Sequence, residues 1–441
     1  MSRCLIVLGM LLASVPLRAA PEIDPLSLGI EASEKVEASQ GALSLEIWLQ
    51  HYAWRSHDSS PETQARLALD FRREWSLSPQ WRATLSNRLE SAHVPGGSAP
   101  SETRNTLREA FITWQCSVGK TEAERESIFV DAGRINLRLG VASGYNPTDY
   151  FRGGAVVSSV SQNPASLRLN RLGTVSIRTQ WMDAAQSWTF VWAPQLTGRD
   201  EVDTRDLALG LERTNRQQAF LLRWAPRLGE RVSLDMPLLV RDSHLEIGLN
   251  ATALINDALV GTLELASARR APLPDVEQSL AGQIPDAQRT LRIAAGGTWT
   301  TESGISLTLE RHYAGDALSC GAWRSWQHAL SQPGAPGGAA AAAYGELTAD
   351  LGFRQDLLVR DMWFSRIAWD DAFQRKGLNL SAFVRQNAYD RSRSWQAEAS
   401  WNDRRDWSLR VLIGGNSGGQ FSEFGRRSQR GYGALSFTLY W

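Results

Sequence analysis

Large apolar residues occupy every second position through much of this chain. Leu43, Leu45, Ile47 and Leu49 alternate with Ser44, Glu46 and Gln50. Ala65, Leu67, Leu69 and Phe71 alternate with Arg66, Asp70 and Arg72, and Trp81, Ala83, Leu85 and Leu89 face away from Arg82, Thr84, Ser86 and Arg88. A period of two belongs to a strand with one apolar and one polar face. The pattern returns over residues 167–181, 291–295, 305–310, 378–384, 395–401 and 409–413. Helical periodicity is scarce. About 18 candidate strands result, starting near residues 42, 64, 80, 105, 126, 166, 186, 216, 229, 243, 257, 288, 304, 354, 377, 394, 406 and 431.

The connections sort by length. Those after odd strands include 92–104, 135–165, 194–215, 269–287, 316–353 and 416–430, which are long. Those after even strands are short turns such as 76–80, 182–185, 226–230, 300–304 and 403–405; the stretch near 366–376 is the exception. A soluble sandwich has no reason to sort loops by parity. A transmembrane barrel does, because its periplasmic turns are short and its extracellular loops long. The expected fold is all-β: a transmembrane, antiparallel, up-and-down β-barrel of about 18 strands, within a range of 16–18.

The first residues fit this setting. Arg3 precedes an apolar run from Leu5 to Val15, with small residues at Ala19 and Ala20. This reads as a secretory signal peptide over 1–19, because the run is shorter than the roughly 20 residues that span a bilayer. Residues 20–40 read as a short polar periplasmic segment and 41–441 as the barrel. Towards Trp441, Leu435, Phe437, Leu439 and Trp441 alternate with small or polar residues. Phe437, Leu439 and Trp441 resemble the assembly signal of outer-membrane barrels. No mature segment has 18 consecutive apolar residues, and mean hydropathy is −0.30. Neither counts against a barrel, which buries only one face of each strand in lipid. The 18 tryptophans suit the aromatic girdles at the two interfaces.

Charge narrows the chemistry less. The formal net charge is zero; without Arg3 and Arg18, 45 basic residues face 47 acidic ones. Lysine occurs only at positions 35, 120 and 376. Arginine forks suit an anion-binding lumen, and arginine-favouring codons explain the same bias. By alternation the wet faces carry Arg66, Asp70, Arg72, Arg82, Arg88, Arg168, Arg178, Arg292, Glu310, Arg385, Glu398 and Arg410, the pore-lining candidates. Asp70, Glu264, Glu310 and Glu398 are the expected partners of the arginines across the wall. The stretch Gly133–Arg152 opens at a strand end, and Asn146-Pro147 favours a turn there. Two arrangements are open: a loop folded into the lumen with Arg138, Asp149 and Arg152 at a constriction, or a packed Ω-loop at the rim. The second is preferred. Pro333–Gly338 followed by five alanines reads as a flexible or partly helical surface loop.

No enzyme constellation emerges. Asp242, Ser243 and His244 are adjacent, and adjacent strand residues point to opposite faces. No metal-ligand spacing occurs, and neither a cofactor nor nucleic-acid binding is expected. Cys116 and Cys320 are placed by parity at opposite ends of the barrel, beyond the roughly 7 Å reach of a disulfide.

Four short islands resemble a known family: Arg108–Trp114, Gly133–Arg152, Leu309–Gly315 and Ser422–Gly425. In order and spacing they resemble a proteobacterial outer-membrane β-barrel family broadly similar to alginate-export-type porins. The resemblance implies a monomeric barrel that passes a solute or a secreted polysaccharide. The expected function is an outer-membrane channel for a small solute or polymer, with an anionic cargo as one version. A plugged barrel with a structural or surface role is the alternative. The expected partners are outer-membrane lipid and lipopolysaccharide, the barrel assembly machinery, and an anionic solute or polysaccharide.

Overall fold

The structure is a computed structural model that describes residues 43–54, 62–94, 102–119, 126–156, 161–196, 209–402 and 406–441. The signal-peptide and periplasmic segments, 1–19 and 20–40, lie outside the described residues. Eighteen strands follow one another around a closed antiparallel sheet: β1 (Leu43–Trp54), β2 (Glu62–Ser76), β3 (Trp81–His93), β4 (Glu102–Val118), β5 (Glu126–Ile135), β6 (Thr174–Met182), β7 (Gln186–Ala193), β8 (Ala219–Pro226), β9 (Val232–Arg241), β10 (His244–Asn256), β11 (Leu259–Arg270), β12 (Gln288–Thr300), β13 (Ile305–Ala314), β14 (Asp361–Trp369), β15 (Leu378–Asn387), β16 (Arg393–Trp401), β17 (Trp407–Ser417) and β18 (Gln429–Tyr440). β18 pairs back onto β1, with Ile47 opposite Phe437 and Leu49 opposite Leu435. Closure removes the open edges that would strand N–H and C=O groups in lipid.

Alternation decides what each face meets. Ile47, Leu49, Leu67, Leu69, Ile112, Ile177, Phe190, Leu222, Ile247, Leu307, Leu309, Ile367, Val411, Ile413 and Leu435 lie exposed on the outside. In water such a belt would be an aggregation hazard; around a closed barrel it is the lipid-facing surface. Tryptophans gather at the end of the short turns: Trp81 lies opposite Trp114, Trp181 opposite Trp188, and Trp188 opposite Trp224. Trp299, Trp369, Trp401, Trp407 and Trp441 lie at the same level on later strands. Amphipathic indoles at one rim mark a membrane interface. The chain therefore crosses a membrane with strands, and no described helix is long and apolar enough to do so.

Sixteen strands begin within three residues of the sequence expectation, and two do not. β6 begins at Thr174, not near 166, because Pro164–Leu169 forms a short helix, α1. Asn163 caps it by accepting from the Ala165 N–H, and Pro164 occupies the first turn, where its missing N–H costs nothing. β14 begins at Asp361, not near 354, because the chain there is still helical. The β11–β12 connection holds a one-turn helix, α2 (Val276–Leu280), closed by an Asp275/Gln278 capping box. The β13–β14 connection holds α3 (Cys320–Ser331) and α4 (Ala335–Arg354). Of the two expectations for the alanine run, flexible or partly helical, the helical one holds, and the helix is packed. Trp323, Trp326 and Leu330 of α3 are buried against Ala340, Tyr344, Leu347 and Leu351 of α4. Asp242 and Ser243 form the two-residue β9–β10 turn, both at positive φ, so the Asp-Ser-His run is a hairpin and no triad. Cys116 lies near the short-turn end of β4 and Cys320 opens α3 at the opposite end; both are free thiols.

Candidate channel lumen

The described residues between β5 and β6, 136–156 and 161–173, fold into the barrel and not onto its rim. Leu137, Leu139, Tyr150 and Phe151 bury against inward Val191, Leu221, Leu239 and Ala266 of the wall. That apolar contact brings the backbone of residues 141–148 to two wall carboxylates. Glu264, in the middle of β11, is fully buried. Its Oε2 accepts from the N–H groups of Val141 (3.0 Å) and Ala142 (3.1 Å) and from Asn146 Nδ2 (3.2 Å). Its Oε1 accepts from the Thr148 N–H (2.7 Å) and Thr148 Oγ1 (2.8 Å). Glu310, on β13, accepts from the N–H groups of Ser143 (2.7 Å) and Gly144 (2.8 Å) and pairs with His312 Nε2 at 2.9 Å. Consecutive backbone N–H groups that converge on an anion form a nest, and here the anion is a side chain of the wall. Gly140 makes the approach feasible: its φ is +89°, and a Cβ would lie 2.6 Å from a Glu264 oxygen.

Ion pairs complete the clamp. Asp149 receives a two-pronged contact from Arg171 (2.7 and 3.0 Å), with Arg168 at 3.9 Å. Burial acts to raise the Asp149 pKa, and the Arg171 charge more than offsets it, so the carboxyl stays below its ordinary range. Arg152 donates to Asp356 (2.5 Å), to the Asn146 carbonyl and to the Arg354 carbonyl, and stacks over the Tyr145 ring. Asp356 also accepts two bonds from Arg292, which grips Asp316 at 2.9 and 2.5 Å. Burial works to raise Asp356 too, but the two guanidinium groups hold it well below the usual carboxylate range. This network ties the inward segment to the base of α4. The same segment reaches other walls. The Gln162 N–H donates to Gln396 Oε1 on β16 (2.8 Å), Gln396 donates back to Ser161 Oγ (2.8 Å), and Arg108 of β4 donates to Asn170 (2.9 Å). The insertion therefore spans the lumen.

Apart from Arg385, the remaining pore-lining candidates take part in charge pairs. Arg88 contacts Glu46 (2.6 Å), Glu90 (3.4 Å) and Asp70 (3.5 Å). Arg66 lies 3.6 Å from Glu90, Arg72 4.0 Å from Glu109 and Arg82 3.3 Å from Glu74. Arg178 pairs with Asp131 at 2.6 Å and Arg410 with Glu398 at 3.2 Å. Asp70 also accepts from Arg108, which a β-bulge opposite Ser86 and Asn87 turns inward. Two expectations are corrected. Arg168 sits on α1 inside the barrel and not on a strand face, because the Asn163-Pro164 start makes a helix there. Glu264 and Glu310 hold backbone N–H groups, not arginines. Of the constriction candidates, Asp149 and Arg152 border the cavity described below while held in buried ion pairs, and Arg138 is half-buried in the inward segment. Glu46, Glu90, Arg108, Asp131, Arg171 and Asp356 were not among the candidates. Glu90 was within reach of the pattern, two residues from Arg88 on the same face; Arg171 and Asp356 lie in connections where alternation carries no information.

Between the inward segment, α4, and β14–β16 lies a cavity of about 640 Å3. Tyr145, Tyr344 and Phe383 give it apolar walls, while Arg385, Glu423 and Arg426 give it charge. The Arg385 Nε is buried without a hydrogen-bond partner. Glu423, in the β17–β18 connection, accepts from Asn387 Nδ2 (2.9 Å), and burial pushes its pKa up to about 7 despite the opposing pull of Arg427. Phe437, Leu439 and Trp441 face outward on the strand that seals the barrel. Among the described residues no group of His, Cys, Asp and Glu is placed to hold a metal ion.

No protein-family model matches the chain, and no curated protein matches it. Solved structures do. OccAB1 of Acinetobacter baumannii aligns over 91% of this chain and 95% of its own, with TM-score 0.53 and 9% identity. OccK8 (OprE) of Pseudomonas aeruginosa aligns over 91% and 97%, with TM-score 0.48 and 9% identity. OmpF of Salmonella typhi, solved with daunomycin, aligns over 92% and 99%, with TM-score 0.41 and 10% identity. The fold is that of outer-membrane porins.

Proposed function

We propose that the protein is a passive outer-membrane channel for small solutes, with no catalytic step. One observation carries this reading. A segment pinned at Glu264 and Glu310 on one side and at Gln396 on the other crosses the lumen and, with α4 and β14–β16, bounds a cavity of about 640 Å3. That volume falls in the range of sites for small molecules. It speaks against the polysaccharide cargo that likeness to alginate-export-type porins implied, because a polymer in transit needs a continuous bore. Within the chamber, Arg385, Arg426 and Arg427 outweigh Glu423, which favours an anionic solute. Planar-bilayer recording of the purified protein tests the reading. Small, steady conductance steps are expected. The contacts of Ser161 and Gln162 with Gln396 favour a second reading, a plugged barrel, and the absence of any steady current would establish it in place of the first.

A further inference from the structure

Arg269 and Arg289 stand directly opposite each other on β11 and β12, and both point out of the barrel. Directly opposed like charges weaken a sheet. Neither residue makes an ion pair among the described residues. Each is instead steadied by one neutral contact: Arg269 donates to the Ala287 carbonyl (3.0 Å) and Arg289 to Ser267 Oγ (3.2 Å). On the lumenal faces Arg88, Arg178, Arg270 and Arg292 each have a carboxylate; this outward pair does not.

Their level in the membrane follows from the register. Trp299, at the short-turn end of β12, marks one interface. Arg289 lies ten residues further along the same strand. At about 3.3 Å per residue and a tilt of about 40°, that is a rise of roughly 25 Å along the barrel axis. An outer-membrane barrel has an apolar band of about that height. The outward positions between them, Leu291, Ile293, Ala295 and Gly297, are apolar or small, as are Leu263 and Leu265 on β11. Across β10, the exposed Leu245 and Ile247 flank Arg269. The two guanidinium groups therefore stand at the upper edge of the lipid-facing band, on the side of the long loops, with acyl-chain surface directly beneath them.

We propose that Arg269 and Arg289 form a binding site for the phosphorylated headgroup of an outer-leaflet glycolipid, its phosphate bridging the two guanidinium forks and its acyl chains lying on Leu263, Leu245 and Leu291. Arginine forks match phosphate geometry in two-pronged fashion. A bridging dianion turns the repulsion into two attractions. The inference rests on the outer-membrane reading and its orientation.

The test uses full-length barrel purified in detergent and native mass spectrometry. The probes are diphosphoryl lipid A, phosphatidylethanolamine and inorganic phosphate. Wild type is expected to retain lipid A over phosphatidylethanolamine, and the R269Q/R289Q double variant to lose at least tenfold of that retention. R269K/R289K should retain part of it. Equal retention by wild type and the glutamine variant would overturn the site. Full displacement of lipid A by millimolar inorganic phosphate would also overturn it, by showing that the arginines take the free ion. Heat-modifiable migration and bilayer conductance measured on the same preparations separate the outcomes. Both should be unchanged in the variants, and their loss in wild type would count against the channel reading itself.

Discussion

Glu264 holds the inward segment through five hydrogen bonds. Replacing it by glutamine keeps volume and removes one acceptor oxygen. Turned one way, the amide still accepts from Val141, Ala142 and Asn146, and its NH2 confronts the Thr148 N–H. Turned the other way, three donors are stranded. A buried donor left unmet costs about 1–3 kcal/mol, and each surviving bond weakens by about 1 kcal/mol because it is no longer charge-assisted. Part of this is returned, since no carboxylate need be desolvated. A net loss of about 3 kcal/mol raises the population with the segment detached roughly 100-fold. The 18 strands keep their ladders, so the barrel itself should persist. Single-channel recording of E264Q should then show added events of larger conductance and more open-state noise, with heat-modifiable migration retained. A trace indistinguishable from wild type in conductance and noise would refute the idea that this carboxylate holds the constriction.

Other expectations concern charge. Glu423 has a folded pKa of about 7 against an ordinary 4.5, so ionising it costs stability, and that cost accrues as pH rises from about 4.5 to about 7; the melting temperature should fall across this window in wild type and stay level in E423Q. The neutral form also leaves the chamber more positive, so reversal potentials in a salt gradient should shift towards anions between pH 8.5 and pH 5.5, and not in E423Q. Arg88→Met leaves Glu46, Asp70 and Glu90 without their shared cation and should cost about 3–5 kcal/mol, seen as a lower urea midpoint for loss of the heat-modifiable form; an unchanged midpoint would show that the neighbouring Arg66 and Arg410 compensate. Cys116 and Cys320 should both alkylate without reductant, and an intramolecular disulfide by mass spectrometry would contradict the strand topology.

The wall was legible because lipid imposes one rule on every strand: apolar out, polar in. Strand starts at Leu43, Glu126, Gln186 and Gln288 follow from that rule almost to the residue. It fails where the chain leaves the wall. Leu167, Arg168 and Leu169 alternate like a strand, but two apolar residues two apart also fit one turn of helix, and the Asn163 cap and Pro164 decide it. For the residues after Gly133 the sequence favours a packed rim loop over the inward fold that the structure has. Leu137, Leu139 and Tyr150 look alike whether they pack at a rim or inside a lumen. The partners that place them, Glu264 and Glu310, lie more than 100 residues away. Alternation marked both glutamates as inward and offered no reason to pair them with backbone N–H groups.

The near balance of arginine and acidic residues has a structural cause that the count alone could not supply. A lumenal arginine facing water alone would keep its hydration and leave a strongly positive bore. Here each acidic neighbour lies across a strand or two residues along: Glu46, Asp70 and Glu90 surround Arg88, Asp131 meets Arg178, and Glu398 meets Arg410. Opposite charges on adjacent strands cancel beyond a Debye length of about 8 Å, so these pairs stiffen the wall and add little field along the axis. The deep ion pairs of Asp149 and Asp356 likewise position the inward segment. What remains is local: Arg385, Arg426 and Arg427 against Glu423 in the chamber. If the chamber carries the solute, selectivity is expected from the 418–428 connection and β15, and not from the ladder of wall arginines. Neutralising Arg82, whose partner Glu74 already offsets it, should leave reversal potentials unchanged, while R385Q should move them towards cations. If R82Q shifts selectivity as far as R385Q does, the field is spread over the whole wall and the chamber has no special part in it.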